Sequence, residues 1–378
     1  MPIERNVSNL FMKKYSYLAA VVVIVYSFQS FFLAAGGIGA DSLSYFGIAA
    51  DMPKLITNLF PLGFPALIKV FHSVFQDYFW ASKFLNISMV IAMLLFSYLK
   101  NFYFKETVLL FTGKTLFFGL TLVSSEGPFL FLLYFLIYFF HEKFQNKIKS
   151  GTFLIFASLL MTLLFTVRYS GIYIYLGIAL FWLMMVLKRK IFASKIDVFK
   201  FLVLSGVGIG GYLCFNYFTF SSFTGEHLRG APERYYPVYI FRDLLGMTNV
   251  IDPFIGLKPA SNSFASLAFQ VLLMVIDLVL LNYLIKLYRS KKEVITTEFH
   301  HLLWIIAGVY TIFLFISGLF QQIEEMNVRM LAAANFCLFL SFLIIYFKDL
   351  KSDRFIFRLG CFFLAFLTLY GLKVRRII

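Results

Sequence analysis

The chain has 378 residues, of which 61% are hydrophobic and only 14% are charged. A soluble domain is nearer half apolar and one quarter charged, so this composition excludes an ordinary soluble protein. Lys and Arg number 34 against 19 Asp and Glu, an excess that would indicate nucleic-acid binding in a soluble chain. In a membrane protein the positive-inside rule explains the same excess, so no nucleic-acid partner is predicted.

Eleven apolar segments are predicted to cross a membrane as helices, because about 20 apolar residues span a hydrocarbon core of about 30 Å. In chain order they are 15–35, 80–99, 107–124, 127–141, 151–167, 171–187, 199–220, 264–285, 302–320, 330–347 and 355–372. The fold class is therefore all-α and polytopic, with amphipathic surface helices in the first external loop. A single domain over residues 1–378 is expected, with two long external loops at 36–79 and 221–263.

Basic residues are unequally divided between the two sets of loops. The loops on the side of the N-terminus carry most of them, including Lys13, Lys14 and the run 188–190, so this side is predicted to be cytoplasmic. Two tight turns, at 124–128 and 168–171, then lie together on the external side. An odd number of spans places the basic C-terminal tail outside, which the positive-inside rule disfavours.

The first external stretch has an acidic residue at the start of a short amphipathic helix. Asp41 is predicted to cap this helix. Its expected apolar face consists of Leu43, Phe46, Ala49 and Ala50. Such a helix lies along the membrane surface, and a break at 61–65 separates it from a second amphipathic segment at 66–75. Taken alone, Asp41 is most simply a helix cap and Tyr45 an interfacial aromatic residue.

Further ionisable residues stand at the ends of apolar helices on the same predicted face. Glu126 lies in one tight turn, and Arg168 with Tyr169 lies in the next. Arg329 opens a later span. Charged groups at the edge of apolar helices are costly unless they are paired or used. The simplest alternative to a functional site is that Glu126 and Arg168 only pair with each other.

The second external loop contains glycine, histidine and arginine over residues 224–236. Its His227, Arg229 and Arg234 are candidates to hold an anionic group, because guanidinium groups match phosphate oxygens. The pattern is weak, since any solvated loop can contain it. Lys114, in the third span, is predicted to snorkel to the cytoplasmic face without a functional role.

Several kinds of catalytic site lack support in the sequence. The three cysteines lie in apolar runs, and neither they nor the histidines show metal-ligand spacing. The motifs that mark nucleotide binding, zinc proteolysis and ester hydrolysis are missing. No disulfide framework, zinc site or nucleotide site is therefore predicted.

The arrangement resembles the GT-C superfamily of integral-membrane glycosyltransferases, and most closely the bacterial relatives of protein O-mannosyltransferases and of the lipid A aminoarabinose transferase. The order and placement of short motifs carry the resemblance, which covers most of the chain. These motifs are Asp41 with Tyr45 and Ala49 after the first span, the stretch 61–65, Ser125-Glu126, Arg168-Tyr169, Thr224-Gly225 followed by Arg229, and the stretch 327–331.

The resemblance implies inverting transfer of a sugar from a polyprenyl-phosphate donor to a glycan, lipid or protein acceptor. The reaction would take place at the external face of a bacterial cytoplasmic membrane. By matching position, Asp41 would be the general base, and Glu126 would orient the acceptor or a basic partner. The side chains expected to hold the donor and its phosphate are Arg168, Arg229, Arg329, Tyr45, Tyr169, His227 and Arg234.

One difference from the family pattern bears on metal dependence. Some family members carry an acidic pair after the first span, whereas in this chain Asp41 is followed by Ser42. A divalent cation usually takes more than one oxygen ligand, so no metal or other cofactor is predicted to be required. A metal site would instead need Glu126 and Asp51 to converge on Asp41, which stays an alternative.

Two other functions stay open. A transporter or flippase of lipid-linked sugars also has many spans and external arginines. It is, however, expected to show repeated halves and ionisable residues at the membrane midplane, and the sequence indicates neither. A membrane polysaccharide polymerase or ligase is expected to use an external arginine-rich loop rather than an aspartate after the first span. Glycosyl transfer is therefore the favoured interpretation.

Overall fold

The computed structural model describes residues 2–32, 37–187, 194–225, 228, 237–251, 264–290, 297–321, 323, 326–347 and 353–374. In this part of the chain the regular structure is helical, without β-strands. The helices are α1 (Pro2–Phe32), α2 (Ala40–Asp51), α3 (Gly63–Phe75), α4 (Tyr78–Lys100), α5 (Phe104–Leu110), α6 (Lys114–Thr121), α7 (Glu126–Phe144), α8 (Ser150–Val167), α9 (Gly171–Leu187), α10 (Lys195–Phe220), α11 (Pro237–Met247) with a 3₁₀ turn at Thr248–Val250, α12 (Phe264–Ser290), α13 (Thr297–Phe320), α14 (Ala332–Tyr346) and α15 (Asp353–Val374).

Several of these helices are suited to a bilayer. Seven in the described ranges are long and apolar enough to cross a membrane: Lys13–Phe32, Tyr78–Lys100, Ser150–Val167, Lys195–Phe220, Val271–Ser290, Glu298–Phe320 and Asp353–Gly371. Their outer faces expose large apolar side chains, such as Val207 and Phe218 on α10. The predicted all-α, multi-pass membrane protein is thus confirmed in its class.

The third predicted span, 107–124, is not the single helix expected from the sequence. It forms α5 and α6, which are separated at 111–113, where a Thr-Gly pair lowers helix propensity. The Tyr26 hydroxyl donates to the Phe111 carbonyl at 2.7 Å, which satisfies an acceptor at the end of α5. Lys114 begins α6 and is only 1% exposed. The prediction that Lys114 snorkels to the cytoplasmic face is therefore wrong.

Two ion pairs between helices mark one end of the bundle. Lys14 of α1 lies 2.6 Å from Asp353 of α15, and Lys143 of α7 lies 2.6 Å from Asp197 of α10. These residues belong to the loops that the basic-residue pattern groups with the N-terminus. The other end of the bundle carries the residues described in the next section and is called the site end.

Helices α2 and α3 form the predicted amphipathic pair. The Gly39 N–H donates to Ser42 Oγ at 2.9 Å, so Gly39 precedes the helix and Asp41 lies within its first turn. The predicted capping role of Asp41 is therefore wrong. Gly39 is the residue that precedes the helix, and the Ser42 hydroxyl accepts its N–H group. The buried apolar residues of α2 are Tyr45, Ile48 and Ala49, whereas Leu43 is exposed. The buried face thus differs from the one predicted.

Helices α8 and α10 approach closely at a glycine. A Cβ atom on Gly208 would collide with Thr162 Oγ1, whereas one on Gly210 would have no atom within 4 Å. We expect Gly208→Ala to lower the free energy of unfolding by about 1–3 kcal/mol, because the added methyl group overpacks this contact. Gly210→Ala is expected to be neutral or slightly stabilising. Unfolding of the detergent-solubilised variants measures both, and equal stabilities would contradict the close approach.

Candidate functional site

Two acidic side chains from different helices meet at the site end. The side chain of Asp41, on α2, is 43% exposed, whereas that of Glu126, which begins α7, is 3% exposed. Both contact one guanidinium group. Arg329 Nη2 lies 3.5 Å from Asp41 Oδ2 and 3.2 Å from Glu126 Oε1. The structure thus brings together three of the residues that the sequence indicated.

The Glu126 carboxylate is the centre of the cluster. Its Oε1 atom lies 2.7 Å from Arg168 Nη1 and accepts a hydrogen bond from Arg329 Nε at 3.2 Å. Hydrogen bonds between charged groups are stronger than neutral ones. The position at the N-terminus of α7 also favours a negative charge. Two guanidinium groups therefore compensate the cost of burying this carboxylate.

Arg168 is held inside the protein between α8 and α9. Its side chain is 15% exposed, donates to Ser125 Oγ at 3.3 Å and lies over the Phe129 ring, 5.9 Å from the ring centroid. Burial opposes the charged form, but the Glu126 carboxylate outweighs it and holds the pKa of Arg168 above its ordinary value. The predicted pairing of Arg168 with Glu126 exists, and it forms part of a larger cluster with Arg329 and Asp41.

Arg329 lies in the turn that leads into α14. The Asn327 side-chain oxygen accepts the backbone N–H groups of Arg329 at 2.9 Å and of Met330 at 3.0 Å. Asparagine is favoured in such turns because its side chain replaces a backbone acceptor. The Arg329 side chain is 30% exposed, twice as much as that of Arg168. Arg329 is thus the more accessible guanidinium group of the cluster, and it lies beside the exposed Asp41.

Tyr45 connects α2 to the start of α7. Its hydroxyl donates to Ser125 Oγ at 3.1 Å, and its ring makes edge contacts with Phe60 and Phe64, with both centroid distances 4.9 Å. Burial, followed by the nearby Glu126 carboxylate, raises the pKa of Tyr45 to about 12, so the hydroxyl stays protonated at neutral pH. Because Tyr45 is only 4% exposed, it supports the site and offers little surface to a donor.

Tyr169 lies in a neighbouring polar cluster. Its hydroxyl donates to the Asn58 carbonyl at 2.9 Å and accepts a hydrogen bond from Asn216 Nδ2 at 3.2 Å. Asn58 Nδ2 donates in turn to the Ser222 carbonyl at 2.8 Å. Tyr169, which follows Arg168 in the chain, therefore joins the segment between α2 and α3 to the end of α10.

The second of the two loops predicted to be external begins at this polar cluster. Gly225 has a φ of +60°, and a Cβ atom there would lie 2.8 Å from the Asn58 backbone, so this position favours glycine. The predicted donor residues that follow it, His227, Arg229 and Arg234, lie outside the described residues.

The described carboxylates do not gather as a metal site would require. Asp51 is ten residues after Asp41 on α2, a separation of about 15 Å at the rise of an α-helix, so it does not converge on Asp41 and Glu126. Among the residues that the structure describes, no group of three or more His, Cys, Asp or Glu side chains is placed to hold a metal ion. Asp41 and Glu126 face guanidinium groups instead.

The cluster offers a half-exposed carboxylate, able to accept a proton, beside a half-exposed guanidinium group, able to bind an anion.

Sequence reasoning did not assign a role to four polar residues near it, namely Ser42, Asn58, Lys83 and Asn216. Only Lys83 carried a signal, as an ionisable residue near the edge of the predicted span 80–99.

In comparisons with known proteins, no family model matches the chain, and neither a curated protein nor a solved structure shows detectable similarity to it.

Proposed function

We propose that the protein is a GT-C-type membrane glycosyltransferase that moves a sugar, with inversion, from a polyprenyl-phosphate-linked donor to a glycan, lipid or protein acceptor. The observation that supports this most is the position of Arg329, which bridges the half-exposed Asp41 and the buried Glu126 at one end of an apolar bundle. A base and an anion-binding group are the two elements that this reaction needs from a protein.

In the proposed reaction Asp41 acts as the general base. Its carboxylate accepts the proton of the acceptor hydroxyl as the hydroxyl oxygen bonds to the anomeric carbon. The bond between that carbon and the donor phosphate oxygen breaks, and its electron pair leaves with the phosphate. Attack on the face opposite the leaving group inverts the configuration.

The two guanidinium groups have different proposed roles. Arg329 is accessible and binds the donor phosphate, where it stabilises the charge that develops as the sugar leaves. Arg168 is enclosed and serves as the permanent counter-ion of Glu126. Glu126 in turn orients Arg329. The expectation that Arg168 itself contacts the donor thus has less support than the same expectation for Arg329.

The proposed topology has eleven passes, with α5 and α6 counted together as one. The supporting observation is that two ion pairs place Lys14 of α1 beside the start of α15 and the end of α7 beside the start of α10, whereas α7 begins at the site end. By the positive-inside rule the site end is external and the N-terminus is cytoplasmic. In a bacterial cytoplasmic membrane, the prenyl chain of the donor then stays in the bilayer beside the site.

The experiment that tests the proposal is mass analysis of a deletion strain. We expect loss of the gene to accumulate a polyprenyl-phosphate sugar and to remove that sugar from one surface glycan, lipid or protein. A plasmid copy of the gene restores both. An unchanged profile of lipid-linked sugars and surface glycans would contradict the proposed function, and the accumulated lipid would identify the donor.

Chelation is expected to leave the proposed transfer largely intact. Among the residues that the structure describes, only Asp41 and Glu126 contribute carboxylates to the cluster, and both face Arg329, whereas a divalent cation usually needs several oxygen ligands. Purified protein with the lipid-linked donor should therefore retain most of its turnover in excess EDTA. Activity that EDTA abolishes and Mn²⁺ or Mg²⁺ restores would make Asp41 a metal ligand as well as a base.

A second candidate, transport of lipid-linked sugars, has one structural observation in its favour. Transporters often contain interrupted helices with ionisable groups inside the membrane. Here the α5–α6 segment is interrupted next to the buried Lys114, and Asp277 is buried in α12. The leaflet of the lipid that accumulates in the deletion strain separates the two functions. A membrane-impermeant oxidant reaches the sugar after loss of an external transferase but not after loss of a transporter.

A further inference from the structure

The chain between α6 and α7 is held in place by side chains from α4. Residues 121–125, called here the 121–125 connection, comprise the last residue of α6 and the chain up to α7, and Leu122 is extended, with φ −86° and ψ 155°. Lys83 Nζ donates to the Thr121 carbonyl at 3.0 Å, and Asn86 Nδ2 donates to the Leu122 carbonyl at 2.8 Å. Both bonds satisfy carbonyl groups that the end of α6 leaves open.

The same connection is bound from the side of α2. The Val123 N–H donates to the Gly37 carbonyl at 3.0 Å, and Ser42 Oγ donates to the Val123 carbonyl at 2.6 Å. Ser42 also accepts the Gly39 N–H, so its hydroxyl serves both the helix start and the connection. Two residues further along, the Tyr45 hydroxyl reaches Ser125.

These bonds join the chain next to one carboxylate to the chain next to the other. Ser42 follows Asp41 directly, and the 121–125 connection ends directly before Glu126. We infer that Ser42 is a positioning residue, which holds Asp41 in register with Glu126 so that Arg329 bridges both. Lys83 and Asn86 hold the connection from its other side. The expected effect on turnover rests on the proposed function, whereas the expected effect on local structure does not.

The burial of Lys83 supports this role. Its side chain is fully buried, and within the described ranges no carboxylate lies in ion-pair distance of its ammonium group. Burying a charged group is costly unless its hydrogen bonds are made. Lys83 donates its hydrogen bond to a main-chain carbonyl of the 121–125 connection. This connection is the part of the chain that leads into Glu126.

Hydrogen exchange in the detergent-solubilised full chain tests the structural half of the inference. We expect Ser42→Ala to raise amide exchange in peptides covering 121–125 by about tenfold or more, because a local contact that protects the segment is lost. Ser42→Thr keeps the hydroxyl and should restore protection. The control is Ser73→Ala on α3, where the exposed hydroxyl binds only the local Val70 carbonyl. If Ser42→Ala does not insert, Asn86→Leu removes a bond from the other side and is expected to raise the same exchange.

Turnover of the lipid-linked sugar tests the functional half. We expect Ser42→Ala to lower kcat by about 10- to 100-fold with an unchanged KM, because a displaced base slows the chemical step, and Ser42→Thr to recover it. Unchanged exchange at 121–125, or wild-type kcat in a variant with raised exchange, would overturn the positioning role. If the wild-type protein transfers no sugar, the proposed function fails while the exchange measurement still decides whether Ser42 holds the connection.

Discussion

Asp41→Asn is expected to lower sugar transfer by about 10²- to 10⁴-fold, which is what general base catalysis typically contributes. The amide has nearly the shape of the carboxylate, so the fold of α2 should survive. It cannot accept the acceptor proton, however, and binding of the lipid-linked donor through Arg329 should change little. Turnover and donor affinity of the purified variant measure the two effects separately.

Asp51→Asn provides the matched control for this substitution. Asp51 is the last residue of the same helix, is also exposed and lies away from the cluster. The same chemical change at this position should leave turnover at the wild-type level. Near wild-type turnover in Asp41→Asn would assign the base to another residue. A loss of turnover in both variants would point to an effect on α2 as a whole.

Glu126→Gln is expected to destabilise the protein by about 3–5 kcal/mol, because removing one partner of a buried ion pair leaves the other charge uncompensated. The uncompensated group is Arg168, whose side chain is enclosed and 2.7 Å from Glu126. Arg168→Gln should also be costly, because it leaves the buried Glu126 carboxylate with Arg329 as its one remaining guanidinium partner among the described residues. The double substitution should cost less than the sum of the two, because it removes both charges. Unfolding of the three variants in detergent completes the double-mutant cycle.

The ion pair between Lys147 and Glu142 is the control for that cycle. Lys147 Nζ lies 3.8 Å from Glu142 Oε1, and the Lys147 side chain is 59% exposed, whereas that of Glu142 is 15% exposed. An ion pair whose lysine lies in solvent contributes about 0–1 kcal/mol, so Lys147→Gln should change stability little. Additive losses for Glu126→Gln and Arg168→Gln would show that the two groups are not energetically coupled.

The architecture was predictable wherever hydrophobicity alone decides it. Long apolar runs separated by polar turns indicate a multi-pass helical protein, and the long helices found here agree with it. The interruption between α5 and α6 was not predictable. The group that binds the Phe111 carbonyl is Tyr26, which lies 85 residues earlier in the chain. Composition of the segment itself contains no information about such a distant partner.

The site was predictable in part, for a similar reason. Glu126, Arg168 and Arg329 attract attention because charges at the ends of apolar helices require partners. The two guanidinium groups contact the same carboxylate oxygen of Glu126. This convergence depends on the tertiary structure and could not be predicted from the sequence. Ser42 carried no such signal, because serine is common in turns and its bond to the Val123 carbonyl depends on a segment 81 residues away.

In the proposed reaction, the charge balance of the site links the fate of a proton to the departure of the product. With both carboxylates ionised, Asp41 and Glu126 offset Arg168 and Arg329, so the four side chains sum to zero. After the proposed transfer the proton resides on Asp41, and the four side chains then present one net positive charge to a phosphomonoester of about −1.5 to −2. Once this proton escapes to solvent, the surplus positive charge disappears and the hold on the dianion weakens. In the proposed mechanism, loss of this proton therefore restores the resting charge of the four side chains and favours release of the phosphate.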